Sequence, residues 1–170
     1  MKLRHPVVRG HPLHAIATDL PIGIVPLAFA ASVAARLRRS RDTSFAADAA
    51  TSAALLSFAP AVFLGWWEWL TIPAEHEAHR PATTHGLINT AAIAPVLLAA
   101  FWRPRRAEAL AAALALMTVG AWIGGDLVYR LGWRVRKAEL YEQLEEGKTH
   151  GEAVRAIEEH ERANTFLAAT

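Results

Sequence analysis

Charge in this chain is not spread at helical spacing but gathered into clusters that fence off four long apolar runs, at residues 20–35, 49–70, 86–102 and 109–125. Each run approaches the ~17–25 residues that cross ~30 Å of hydrocarbon at ~1.5 Å per residue. Only Glu68 interrupts them. A soluble four-helix bundle would need a polar face on every helix, and residues 109–117, all Ala, Leu or Met, offer none. The fold class expected is therefore all-α: a transmembrane four-helix up-down bundle, with spans at about 14–36, 49–70, 84–102 and 107–130.

Aromatic and basic residues mark the ends of the spans. Arg36, Arg38, Arg39 and Arg41 close the first, and Trp102 with Arg103, Arg105 and Arg106 closes the third. At the opposite face Trp66, Trp67 and Trp69 end the second span and Tyr129 and Trp133 the fourth, positions suited to rings lodged among headgroups. Pro21, Pro26, Pro60 and Pro95 predict kinks that free carbonyls for neighbouring helices. Gly23, Ala28, Ala31, Ala35, Gly120, Gly124 and Gly125 predict close backbone approach, with Gly120 and Gly124 a small-xxx-small pair. Residues 1–14 have no apolar core and read as no secretory signal, and the four spans put both termini on one face. Lys and Arg number 8 on that face and 7 on the other, so charge bias assigns no orientation.

The chain divides electrostatically near Lys137. Residues 1–137 carry 15 basic against 8 acidic side chains, a net +7, and residues 138–170 carry 3 against 8, a net −5. The tail reads as soluble helix: Leu140, Tyr141 and Leu144 recur at helical spacing, Gly147 ends that segment, and Thr149 with Glu152 has the form of a capping box opening a second helix along Val154 and Ile157. Such a short amphipathic tail either packs on its own membrane domain or docks a larger membrane complex.

With no cysteine in the chain, disulfides, thiolate metal sites and thiol catalysis are excluded, and chemistry falls to histidine, carboxylates and hydroxyls. Phosphate-binding loops, nucleophile elbows and the zincin motif are absent, and the basic clusters suit lipid headgroups, not nucleic acid. Threading the spans places His11, His14, Asp19, Glu68, His85, Asn89 and Asp126 at one face, where intramembrane polar residues tend to turn inward and pair. His14, Asp19, His85 and Asp126 form a candidate set for a divalent metal. Alternatively, His14 and His85 are candidate axial ligands of a haem b in a redox-linked role. The structural alternative is a polar network: Asp19 paired with Arg130, His14 capping the first helix, Asn89 on a kinked carbonyl and Glu68 snorkelling to water. His76 and His79 fall in a loop at 73–81, and His150 and His160 in the tail; all four are expected to be exposed. Proton-linked transport is disfavoured by the lack of an inverted repeat.

Gly10-His11-Pro12-Leu13-His14, Asp19-Leu20-Pro21-Ile22-Gly23, Trp67-Glu68-Trp69, His85-Gly86-Leu87-Ile88-Asn89 and the run from Gly124 through Asp126 and Arg130 to Gly132 occur in that order. This series resembles a bacterial four-helix integral membrane family of unknown function that opens on a GHPLHP motif, over about residues 9–135. Some members of that family are fused to Rieske ferredoxin domains. The resemblance implies a bacterial cytoplasmic membrane protein with a redox association, but no established activity. The chain departs from the pattern at Ala15, where proline is usual, and at Asp126, where histidine is common; its acidic tail is not a Rieske domain. If the usual histidine were a ligand, Asp126 would favour a harder metal over haem.

Overall fold

The computed structural model describes residues 5–8, 11–133 and 144–167. Its four membrane-crossing segments form an all-α bundle, as the apolar runs require, and each is long and apolar enough to span a bilayer. Helix α1 runs Leu13–Arg38 and α2 runs Arg41–Trp69. The third span is α3, His79–Ala91, continued by α4, Ile93–Phe101. A single 3-10 turn, Arg103–Arg105, leads into α5, Arg106–Gly125.

The first hairpin is tighter than the charge pattern suggested. Arg39 takes a left-handed conformation at φ 51° and returns its N–H to the Ala35 carbonyl, ending α1. Ser40 then caps α2, its hydroxyl accepting the Thr43 N–H at 3.2 Å. Helix α2 therefore begins eight residues before the apolar run, carrying Asp48 inside it. In the third span, Pro95 has no N–H for the Ala91 carbonyl, and the helix is interrupted between α3 and α4. The fourth span ends in a π-helical turn, Asp126–Arg130, where the Leu131 N–H reaches the Asp126 carbonyl at 3.0 Å.

The interior is built of small residues. Val25, Ala28, Ala54, Phe58, Ala92, Val96, Ala99, Ala109, Leu110 and Ala113 form the central cluster, so six alanines let the helices approach closely. Buried hydroxyls bond within their own helices: Ser32 donates to the Ala28 carbonyl, Thr51 to Ala47 and Ser57 to Ala54. Large apolar side chains such as Leu27, Leu56, Phe63, Phe101 and Trp122 face outward, the inversion that a lipid solvent permits. Gly23, expected in the packing, meets no neighbour; Gly120 and Gly124 receive side chains of α3, described below, in place of a helix backbone.

At the arginine-rich end, two carboxylates lock the spans together. Asp48 of α2 accepts from both Arg103 and Arg106, Arg106 also donates to the Ala99 carbonyl, and Arg36 of α1 pairs with Glu108 of α5 at 2.7 Å. Arg106 is only 8% exposed, so its charge depends on Asp48.

The opposite end carries what the sequence did not reveal, a three-stranded sheet ordered β2-β1-β3. Strand β1, His5–Val8, pairs antiparallel with β2, His11–Pro12, and parallel with β3, Thr165–Leu167. The C-terminal tail is thus tied to the N-terminal segment. Its helix α6, His150–Asn164, opens on the expected capping box: the Thr149 hydroxyl and N–H donate to one Glu152 oxygen at 2.7 and 2.9 Å. Ala153 and Ile157 are buried, with Val154 beside them half-buried. The helix expected through Leu140 and Tyr141 lies mostly outside the described residues.

Removing Asp48 should leave Arg106 buried without its carboxylate, and Asp48→Ala is expected to cost about 2 kcal/mol, allowing for partial solvation of the site, read as a lowered thermal midpoint in detergent. The two Thr149 donors hold the Glu152 carboxyl below the ordinary carboxylate range. A folded-state value below the unfolded one gives stability that is present above the unfolded value and lost as pH falls through the folded one. Acid titration should therefore reduce the circular-dichroism helicity of the wild-type tail, with the carboxyl-linked part of that loss absent in Glu152→Gln.

Candidate functional site

At the end of the bundle that carries the sheet, residues of all four spans and Pro12 of β2 line a cavity of about 450 Å³ whose wall is almost wholly apolar. Phe58, Trp66, Trp69, Met117 and Leu127 supply much of that wall, and its polar groups include His14, Glu68, His85 and Asn89. The cavity has the size and character of a small-molecule or cofactor site.

The two histidines come from helices α1 and α3, each of which packs against both α2 and α5. His14 Nδ1 lies 3.0 Å from the Ala61 carbonyl of α2, and His85 Nδ1 lies 2.8 Å from the Gly120 carbonyl of α5. A carbonyl only accepts, so Nδ1 carries a proton in both rings, and in its neutral form each ring then keeps its lone pair on Nε2. The ring centres are 6.2 Å apart and the ring planes stand at 86°.

Each ring also rests on a glycine. A Cβ at Gly65 would lie 2.8 Å from His14 Cε1, and one at Gly124 would lie 2.8 Å from His85 Cε1. The Asn89 amide donates to the His85 carbonyl at 2.9 Å and lies 3.3 Å from both ring nitrogens of His85, in space left by Gly120.

The helical screw explains which expected residues join this site. At about 100° per residue, Asn89 falls one turn from His85 on the same face, and Glu68 falls within ~60° of Gly65. Asp19 stands ~140° around α1 from His14 and is exposed. Asp126 follows Gly124 by two residues and turns away to Arg130, 3.5 Å distant. Neither Asp19 nor Asp126 lines the cavity, so the four-residue metal set is not assembled, and among the described residues no group of three or more His, Asp or Glu gathers as a cation cage. His11 is exposed in β2, cut off from His14 by the strand-to-helix junction.

The expected polar network is also corrected. Arg130 pairs with Asp126, not Asp19, and His14 bonds across to α2 instead of capping α1. Glu68 is 8% exposed and lies 3.7 Å from His5 Nδ1, so it does not snorkel to water. His5 sits in β1 and is itself buried; nothing in a four-residue strand with no apolar alternation marked it.

Two tryptophans assigned to the headgroup belt also turn inward. Trp66 Nε1 donates to Thr90 at 3.0 Å, Trp69 Nε1 donates to Thr83 at 2.7 Å, and their rings meet edge to face at 5.3 Å. The Trp-x-x-Trp spacing, with hydroxyls seven residues apart at Thr83 and Thr90, was the available signal. His76 and His79, expected in solvent, are half-buried against Trp133 and Trp69. His150 is exposed as expected; the side chain of His160 is outside the described residues.

Fold and site together define a polytopic helical membrane protein with two hydrogen-bonded imidazoles facing one intrabundle cavity. Residues 10–137 match the profile of the family described as "Predicted membrane protein (DUF2231)", and the chain belongs to that family. No curated protein and no solved structure matches it.

Thr83→Val keeps the volume at the Trp69 contact but removes the acceptor of a half-buried indole N–H. A loss of about 1–2 kcal/mol is expected, with a changed Trp emission maximum, both measurable by thermal unfolding followed by fluorescence.

Proposed function

We propose that His14 and His85 would hold a haem b in the cavity, and that the protein would use it to carry electrons within or across the membrane. The observation that carries this reading is the separation of the imidazoles. Metal–imidazole bonds of about 2 Å, with roughly 1.1 Å from a ring nitrogen to the ring centre, put two rings that share one iron about 6 Å apart. The ring centres of His14 and His85 are 6.2 Å apart.

Three features support the same assignment. Both Nδ1–H groups are engaged by backbone carbonyls, the usual outer partner of a ligating histidine, which fixes the tautomer with the lone pair on Nε2; at His85 the Asn89 amide, 3.3 Å from that nitrogen, would have to turn aside for a metal to bind. The apolar wall, including Trp66, Trp69 and Phe58, suits a porphyrin, and histidines on separate helices of a bundle are the known way to hold one. The cavity offers two imidazoles and the Glu68 carboxylate, with no group of three or more such ligands gathered among the described residues, which suits an iron whose other four ligands come from a macrocycle more than a bare divalent ion.

When bound, haem b would supply reversible one-electron chemistry. The chain's own residues bind it through two imidazoles, exclude water with the aromatic wall, and set a near-perpendicular arrangement of ring planes. In the alternative reading, a non-catalytic accessory subunit, the polar network is structural and the acidic tail docks a larger membrane complex; Thr165–Leu167, beyond the acidic residues of that tail, pair with β1.

The test is to purify the chain from cells supplied with haem precursor, then record optical and low-temperature EPR spectra. Stoichiometric haem with a low-spin bis-imidazole signature is expected. His14→Ala and His85→Ala should each lose that signature, while Asp19→Ala and Asp126→Ala, both away from the cavity, should keep it. Wild-type protein without a Soret band, or histidine variants with unchanged low-spin spectra, would overturn the assignment; stoichiometric zinc or another divalent ion in its place would reinstate the bare-metal reading.

A further inference from the structure

The two histidines are seated by the same device used twice. His14 bonds the carbonyl of Ala61 and lies against Gly65, four residues on; His85 bonds the carbonyl of Gly120 and lies against Gly124, also four residues on. In each case the accepting carbonyl and the glycine are one helical turn apart on a single face of the helix that follows in the chain's hairpin. The contacts repeat closely: the position of a Cβ is 2.8 Å from Cε1 and 3.1 Å from Nδ1 in both seats. Among the other bundle glycines, a Cβ at Gly86 would meet the Trp66 ring at 3.2 Å and one at Gly120 the Asn89 amide at 2.6 Å, but none faces a histidine. A Cβ at Gly23 meets nothing within 4 Å, and one at Gly125 meets only the Tyr129 ring at 3.8 Å.

We infer that Gly65 and Gly124 are positioning residues for the paired imidazoles, and that the site is an approximate two-fold repeat in which each hairpin holds one ring. A methyl group at either position overlaps a ring that cannot swing aside without giving up its Nδ1 hydrogen bond, so the ring must tilt, the bond must lengthen, or both. That bond directs electron density toward Nε2 and makes the ring a more basic ligand, which favours the oxidised metal. Loosening it shifts the reduction potential upward. The spectral consequence rests on the haem reading; the steric coupling of each glycine to its histidine does not.

The experiment is a pair of double-mutant cycles on the full chain in detergent, Gly65→Ala with His14→Ala and Gly124→Ala with His85→Ala, with Gly23→Ala as control. Alanine is the better helix former, so helix propensity alone would raise stability at all three glycines. Expected instead is a midpoint lowered by about 3 °C or more in Gly65→Ala and Gly124→Ala, disappearing when the facing histidine is also alanine, with no loss in Gly23→Ala. Should a single glycine variant fail to fold, its double variant should recover folding. Haem-loaded Gly65→Ala and Gly124→Ala should in addition show an altered low-spin EPR spectrum and a raised midpoint potential. Additive cycles at both pairs, or no recovery in the double variants, would overturn the inference whether or not haem is bound. Coupled cycles in a wild-type protein that takes up no haem would leave the seats established and remove only the haem assignment.

Discussion

A helix buried in lipid has already spent its backbone N–H groups, yet each carbonyl keeps a second lone pair, and this site is organised around two of them. The Ala61 and Gly120 carbonyls accept the Nδ1 protons of His14 and His85. Without those bonds the rings would be polar groups loose in a largely apolar cavity, at a cost in desolvation. With them, the rings are held in one tautomer and two fixed planes. The same need accounts for the pairing of Trp66 and Trp69 with threonine hydroxyls and for the hydroxyls of α1 and α2 that bond back into their own helices.

The two ends of the bundle answer the bilayer in different ways. At the arginine-rich end, Asp48 and Glu108 tie the helices directly, and small residues pack the adjoining core densely. At the other end aromatics line a cavity between the spans, and residues 5–8, 11–12 and 165–167 form a small sheet whose His5 lies beside Glu68. The glycine beneath each histidine extends the same economy: a residue that in other membrane helices lets two backbones touch here admits a ring edge.

Polar residues near the cavity show what depth alone cannot decide. Asp19 and His14 are close in height, and so are Asp126 and His85, but a few residues of helical rotation send the carboxylates outward and the imidazoles inward. Counting rise placed all four at one face. Their azimuths depended on which side of each helix the neighbours occupied, and that is a property of the assembled bundle. The β1–β3 pairing is a sharper case, because strand partners more than 150 residues apart leave no local pattern in so short a segment.

The amino-acid sequence by itself determined the four spans, their order, the end at which polar side chains collect and the capped helix of the tail. Those follow from run length, charge clustering and turn chemistry, which lipid and water enforce residue by residue. Only the tertiary structure decided that His14 and His85 face each other while Asp19 and Asp126 do not, that Glu68 is covered by the strand carrying His5, and that Gly65 and Gly124 are seats for rings. Such choices rest on helix rotation and on contacts between distant segments, and these take definite values only when all four helices pack at once.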